Sequence, residues 1–173
     1  MGRLPPPRLP SGAAMDFFFY GTLMDDDVRR LVLGPQAAGL VLLPARLKGY
    51  RRLAKCRSSA PVLVPRRGAS VAGLLARGLD RRQAARLCHY EGRNYRLATC
   101  VVRLSGQVPC TALVYLGNGR VAVRRTAWRL DAWQRRSKCR FLRLATLWLA
   151  AYRAGGYETR GRMRPVVRWA ARD

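Results

Sequence analysis

The run Met15-Asp16-Phe17-Phe18-Phe19-Tyr20 limits the fold more than any other segment of the chain. It is apolar on both faces, so it reads as a strand in the middle of a sheet, covered on either side. It stops abruptly at Tyr20-Gly21-Thr22. A helix signal follows at once in "DDDVRRLVL", residues 25–33. Asp25 is a good N-cap, and Asp26 and Asp27 lie in the first turn, against the positive end of the helix dipole. Val28, Leu31 and Val32 make one apolar face, and Gly34-Pro35 ends the helix. The acidic triplet therefore has a structural explanation. A metal role is less supported, because no other Asp, Glu or His nearby completes a shell.

The rest of the chain alternates strand and helix signals irregularly. Residues 40–53 read as extended structure broken at Pro44 and Gly49. "PVLVP" (61–65) and "SVAGLLARGL" (70–79) read as two strands. Residues 80–90 form a helix capped by Asp80, with Ala84, Leu87 and Cys88 inward and Gly92 as its stop. Strands follow at 95–104 and 108–116. The Asn118-Gly119 turn signal predicts that "RVAV" returns as a hairpin arm. Residues 129–154 predict one long helix, with an apolar stripe through Leu130, Trp133, Phe141, Ala145, Trp148, Leu149 and Tyr152, ended by Gly155-Gly156. No internal repeat is present. Strands outnumber helices in irregular order, which favours an α+β fold over a doubly wound sheet. The expected organisation is a disordered leader (1–14), one domain (15–154) and a basic tail (155–173). Met15 is a candidate start, since ordered sequence begins there.

The chain has 173 residues and a formal charge of +25, with 34 Lys plus Arg against 9 Asp plus Glu. Only Lys48, Lys55 and Lys138 are lysine. Two readings apply, a polyanion partner or compositional bias. The arginines are scattered in pairs rather than gathered in a block, which favours bias. Such a surface still holds nucleic acid non-specifically at low salt. The 5 cysteines include no CxxC pair and the chain has 1 histidine. No structural metal is implied, and free thiols fit a reducing, cytoplasmic location. The longest uncharged apolar runs, such as 144–152, are far short of the ~20 residues of a membrane crossing. The N-terminus has no apolar core like that of a secretory signal.

Candidates for chemistry are few. His89 adjoins Cys88, but neighbours on a helix point about 100° apart and make no dyad. The chain lacks a GxSxG elbow, a phosphate-binding GxxxxGK[ST] loop and a GxGxxG turn after a strand. The two glutamates are Glu91 and Glu158; Glu158 is expected to be solvated in the tail. Glu91, in "LCHYEGRNYR", sits between Tyr90, Gly92 and Tyr95. Partial desolvation there would raise its pKa and make it a usable general base. The alternative is an ordinary helix-end glutamate facing an arginine. The strand stop at Tyr20-Gly21-Thr22 leaves backbone N–H groups free to hold a carboxylate, and Gly21 allows close approach.

"FFFYGTLM" and "LCHYEGRNYRLATCVV", about seventy residues apart, together resemble the paired motifs of the gamma-glutamylcyclotransferase-like (AIG2-like) family. The resemblance extends over roughly residues 16–116, through "PVLVP", "VAGLLARGL" and "ALVYL". It implies a small mixed β-barrel with peripheral helices, to which the long C-terminal helix would be added. That helix is expected to pack on the barrel, with self-association or membrane-surface binding as the alternatives. The resemblance also implies that Tyr20, Gly21, Thr22 and Leu23 hold the glutamyl carboxylate, that Tyr95 contributes to substrate binding, and that Glu91 is the catalytic base. A γ-glutamyl amine or peptide would cyclise to 5-oxoproline, releasing its amine, with no cofactor or metal. Two positions depart from the pattern: Cys88 replaces an aspartate and Leu97 an arginine. A non-catalytic binding module, or a basic nucleic-acid-associated protein on the same fold, are the alternative functions.

Overall fold

The computed structural model describes residues 14–119 and 121–154. Residues 1–13 of the expected leader, the tail 155–173 and Glu158 lie outside the described residues. The elements are β1 (Met15–Phe19), a 3-10 turn (Thr22–Met24), α1 (Asp26–Leu33), β2 (Val41–Lys55), β3 (Pro61–Leu79), α2 (Arg81–Glu91), β4 (Tyr95–Arg103), β5 (Pro109–Gly117), β6 (Val123–Ala127), α3 (Leu130–Arg136) and α4 (Lys138–Ala154). Five strands close on themselves in the order β3-β1-β5-β4-β2, because β2 also pairs with β3. β6 lies outside the ring, on β2. β1 and β5 are parallel and the other pairings are antiparallel, so the barrel is mixed.

β1 explains its own composition. Phe18 and Tyr20 point into the barrel with Leu47, Leu63, Val71, Leu75, Val102 and Val114. Phe17 and Phe19 point outward, into a second core shared with Val28, Val32, Leu87, Trp133, Phe141 and Leu149 of the helices. A strand between two cores needs apolar residues on both faces. Burying each phenylalanine contributes roughly 1.5–3 kcal/mol.

The acidic triplet does more than start a helix. Asp25 accepts from the Asp27 and Val28 backbone N–H groups at 3.1 and 3.3 Å, as an N-cap does. Its other oxygen meets Gln134 Nε2 and Lys138 Nζ, both at 2.8 Å. Asp27 also reaches Lys138, at 2.7 Å, and Asp26 pairs with Arg29 and Arg30. The triplet thus fastens the α3–α4 junction to α1. Burial pushes the Asp25 carboxyl up, but hydrogen bonds from Lys138, Gln134 and Val28 outweigh it and hold the group below its ordinary value. Two arginines are structural. Arg29 donates to the Leu23 and Met24 carbonyls at 3.0 and 2.7 Å, and Arg86 donates to Val32 and Leu31 carbonyls at the end of α1.

Four expectations need correction. Residues 61–65 and 70–79 form one strand. Its partners jump from Lys48↔Ser70 to Tyr50↔Pro65, so Arg66–Ala69 bulge opposite Gly49. β2 is not broken at Pro44, which lies opposite Leu74; β4 joins β2 only at Arg46 and Leu47, an edge setting that tolerates proline. Residues 121–123, the described part of the expected arm, do not return on β5. Both edges of β5 are taken, by β1 and β4, and β6 pairs with β2 instead. The helix over 129–154 is two helices, parted at Ser137 (φ −129°, ψ −21°). The break preserves local bonds, since Ser137 N–H reaches Trp133 O at 2.8 Å and Phe141 N–H reaches Ser137 O at 2.9 Å. The apolar stripe is buried on the barrel as expected. No helix among the described residues is long and apolar enough to cross a membrane.

Candidate active site

The turn after β1 is held from behind. Tyr20 Oη donates to the Tyr115 carbonyl at 2.7 Å, and Arg52 Nη1 donates to the Tyr20 carbonyl at 2.8 Å. A Cβ on Gly21 would stand 2.8 Å from Pro61 Cγ, so only glycine lets the turn press against the start of β3. Met24 and Asp25 N–H groups close the 3-10 turn on the Gly21 and Thr22 carbonyls. Arg29 occupies the Leu23 and Met24 carbonyls from the far side. The first N–H groups of such a turn have no partner within it.

α2 delivers the second half of the site. Its start is fixed by a capping box between Asp80 and Gln83, and its inner face by Ala84 and Leu87. This sets the angle at which its last turn presents Tyr90 and Glu91 to the turn after β1. Gly92, at φ +62°, ends the helix in a conformation that favours glycine. Tyr90 Oη and Thr22 Oγ1 lie 2.7 Å apart. Tyr95 Oη donates to the Pro61 carbonyl at 2.8 Å. Phe141 meets Tyr90 edge-on at 6.2 Å, and Trp148 meets Phe141 the same way.

These groups surround one cavity of about 150 Å³. Tyr20, Gly21, Thr22, Leu23, Glu91 and Tyr95, the six residues expected from the sequence, all line it. Burial lifts the Glu91 carboxyl from 4.5 to about 8, with Lys55 pulling it partly back. Burial first, and then the Glu91 charge, raise Tyr20, Tyr90 and Tyr95, so these phenols stay neutral hydrogen-bonding groups. Burial also raises the Cys88 thiol, against a hydrogen bond from Tyr115, so Cys88 is no thiolate nucleophile at neutral pH. His89 turns to α4 instead, 3.1 Å from the Trp148 carbonyl and 4.6 Å from the Tyr152 ring. Among the described residues no cluster of His, Cys, Asp and Glu could hold a metal.

The structure adds Lys55, Tyr90, Tyr115, Phe141 and Trp148 to the lining. Tyr90 adjoins Glu91 and was legible as part of its motif. Phe141 and Trp148 belong to the apolar stripe and carried no signal separating cavity wall from core. Lys55 is brought in by the β2–β3 hairpin and has no local signature.

The profile of the family described as "Gamma-glutamyl cyclotransferase, AIG2-like" matches residues 17–135. A solution structure from Arabidopsis thaliana aligns with a TM-score of 0.57 at 22% identity, covering 78% of this chain and 90% of that one. A second Arabidopsis thaliana solution structure gives 0.56 at 17% identity, with 88% of both chains covered. A structure titled "Gamma-glutamyl cyclotransferase" gives 0.53 at 14% identity, covering 64% of this chain and 69% of that one. At these identities the likenesses show the fold alone. No curated protein matches the chain by sequence.

Proposed function

The chain belongs to the Gamma-glutamyl cyclotransferase, AIG2-like family, and from that premise we propose that it is an enzyme cyclising a γ-glutamyl amine or peptide to 5-oxoproline. The observation that carries this reading is the meeting of Glu91, its carboxyl at about 8, with the Tyr20–Leu23 turn in one small cavity. The α-amine of the γ-glutamyl group attacks its own γ-carbonyl carbon. A C–N bond forms, the γ-amide C–N bond breaks, and the amine leaves with a proton. The attacking amine must first lose a proton. Free α-amines titrate near ~8, so a carboxylate of matching pKa can take that proton and return it to the leaving nitrogen. The aromatic wall lowers the polarity around the carboxyl, and fixing the γ-glutamyl chain for five-membered closure supplies much of the rate. The substrate partner is thus a small γ-glutamyl compound.

The test is direct. Purified protein is incubated with a panel of γ-glutamyl amines and dipeptides, and 5-oxoproline is measured by mass spectrometry. Turnover of at least one member supports the reading. Saturable binding of γ-glutamyl compounds without release of 5-oxoproline would convert it into a binding module.

A further inference from the structure

Among the described residues lining the cavity there is one carboxyl, Glu91, and one cation, Lys55. The other walls are aromatic, apolar or neutral. The Lys55 ammonium lies over the Tyr95 ring, 5.7 Å from its centroid, half-buried at the end of β2. No ion pair within 4.0 Å joins it to Glu91. The carboxyl and the ammonium therefore face the same space without forming a pair. In a chain whose basic residues are arginine at all but three positions, the cation here is a lysine. A guanidinium beside Glu91 could clamp it in a bidentate pair, whereas an ammonium acts as a compact point charge.

A cation and a separate carboxyl that can accept a proton complement the carboxylate and the amine of an amino-acid head. We infer that Lys55 holds the α-carboxylate of the substrate's amino-acid head while Glu91 faces its α-amino group. The inference rests on the proposed γ-glutamyl chemistry for the placement of the amine. It moves the main carboxylate contact from the Tyr20–Leu23 turn to the β2–β3 hairpin, leaving the turn N–H groups for the remainder of the glutamyl chain. It also makes the site selective for α-amino acids over plain amines.

Two pairs of compounds separate this from other roles. A γ-glutamyl amide and the corresponding 4-aminobutanoyl amide differ only in the α-carboxylate, and the second can close to 2-pyrrolidinone by the same step. Their products, 5-oxoproline and 2-pyrrolidinone, differ in the same way and allow a binding measurement that needs no catalysis. Lys55→Met should lower kcat/KM for the γ-glutamyl amide roughly 10- to 100-fold, as expected for loss of a charge-assisted contact, and lower it clearly less for the decarboxylated amide, which feels only the further rise of the Glu91 carboxyl. Calorimetry should show 5-oxoproline binding weakened similarly in Lys55→Met, partly restored in Lys55→Arg, and 2-pyrrolidinone binding unchanged. Equal losses for both amides would make Lys55 a stabiliser of the reacting carbonyl or a structural residue, and would overturn the inference. So would undiminished 5-oxoproline binding by Lys55→Met, or no 5-oxoproline binding by the wild type. If neither amide turns over but 5-oxoproline binding depends on Lys55, the cyclising activity fails and the carboxylate assignment stands.

Discussion

Glu91→Gln should produce a protein that is inactive and more stable than the wild type. Burial raises the Glu91 carboxyl from 4.5 to about 8, so between those values the folded protein keeps a proton that the unfolded chain has released. The unfolded state then binds fewer protons, and stability falls as pH rises through this window. The full stability is present below about pH 4.5 and the loss is complete above about pH 8. At 1.36 kcal/mol for each tenfold difference, the loss is about 3 kcal/mol at pH 7 and about 5 at pH 9. Glutamine keeps the shape of the neutral acid and cannot ionise. The variant should therefore melt higher by roughly 6–12 °C at pH 7, at about 2–4 °C per kcal/mol for a chain of this size. The gap should close near pH 4. Its turnover should fall by ~10²–10⁴, the loss expected for a positioned acid–base group. Calorimetric melts of both proteins from pH 4 to 9, beside 5-oxoproline assays, measure both effects. A melting difference that is flat with pH would refute the burial argument. Wild-type turnover by the variant would refute the catalytic one.

The other expectations follow from single contacts. Gly21→Ala places a Cβ 2.8 Å from Pro61 Cγ; the turn must shift, so kcat/KM should fall at least ~10-fold for a cost of about 1–3 kcal/mol in the melt, and unchanged kcat/KM would show that the turn does not position substrate. Asp25→Ala removes a cap and the partner of Gln134, which should cost roughly 2–4 kcal/mol at pH 7. Because the Asp25 carboxyl is held below 3.8 when folded, its stabilisation is lost as pH falls through that lower value, and denaturant titrations should show wild type and variant converging in acid. Binding to unrelated DNA duplexes should be sequence-blind and should weaken steeply between 50 and 200 mM salt, by roughly 10³-fold or more if six or so phosphates are contacted; selective binding that survives physiological salt would promote the nucleic-acid function.

The sequence carried the site wherever the signal was local. Strand, turn and acid-capped helix lie within residues 15–33, and Glu91 lies beside its own helix stop, so both halves were readable without knowing how they meet. What escaped depends on distant partners. The break at Ser137 left no mark, because the apolar period continues through it; Lys138 turns there toward Asp25 and Asp27 of α1. The Asn118-Gly119 turn was a sound local signal, yet pairing depends on which edge is vacant, and β5 had none. Lys55 reaches the cavity only because β2 and β3 pair along their length, which places a residue 36 positions before Glu91 next to it. The stripe of α4 has the period of a packed face, and it packs, but periodicity alone cannot distinguish a core wall from a cavity wall.

The disposition of acids within this basic chain points to Glu91 independently of any motif. Asp16 pairs with Arg77, Asp26 with Arg29 and Arg30, Asp25 and Asp27 with Lys138, and Asp131 with Arg129 and Arg135, while Asp80 caps α2. Every described aspartate is thus committed to a cation or a helix end. Glu91 makes no ion pair and no helix cap among the described residues, and Lys55 acts on it only across the shared cavity, though arginine is the commonest charged residue of the chain. Chance would readily supply an arginine to such a carboxyl, and pairing it would relieve most of the burial cost. No described arginine lines the cavity. A carboxyl left costly and uncommitted there serves stability poorly, and it suits a group that must accept a proton near neutral pH.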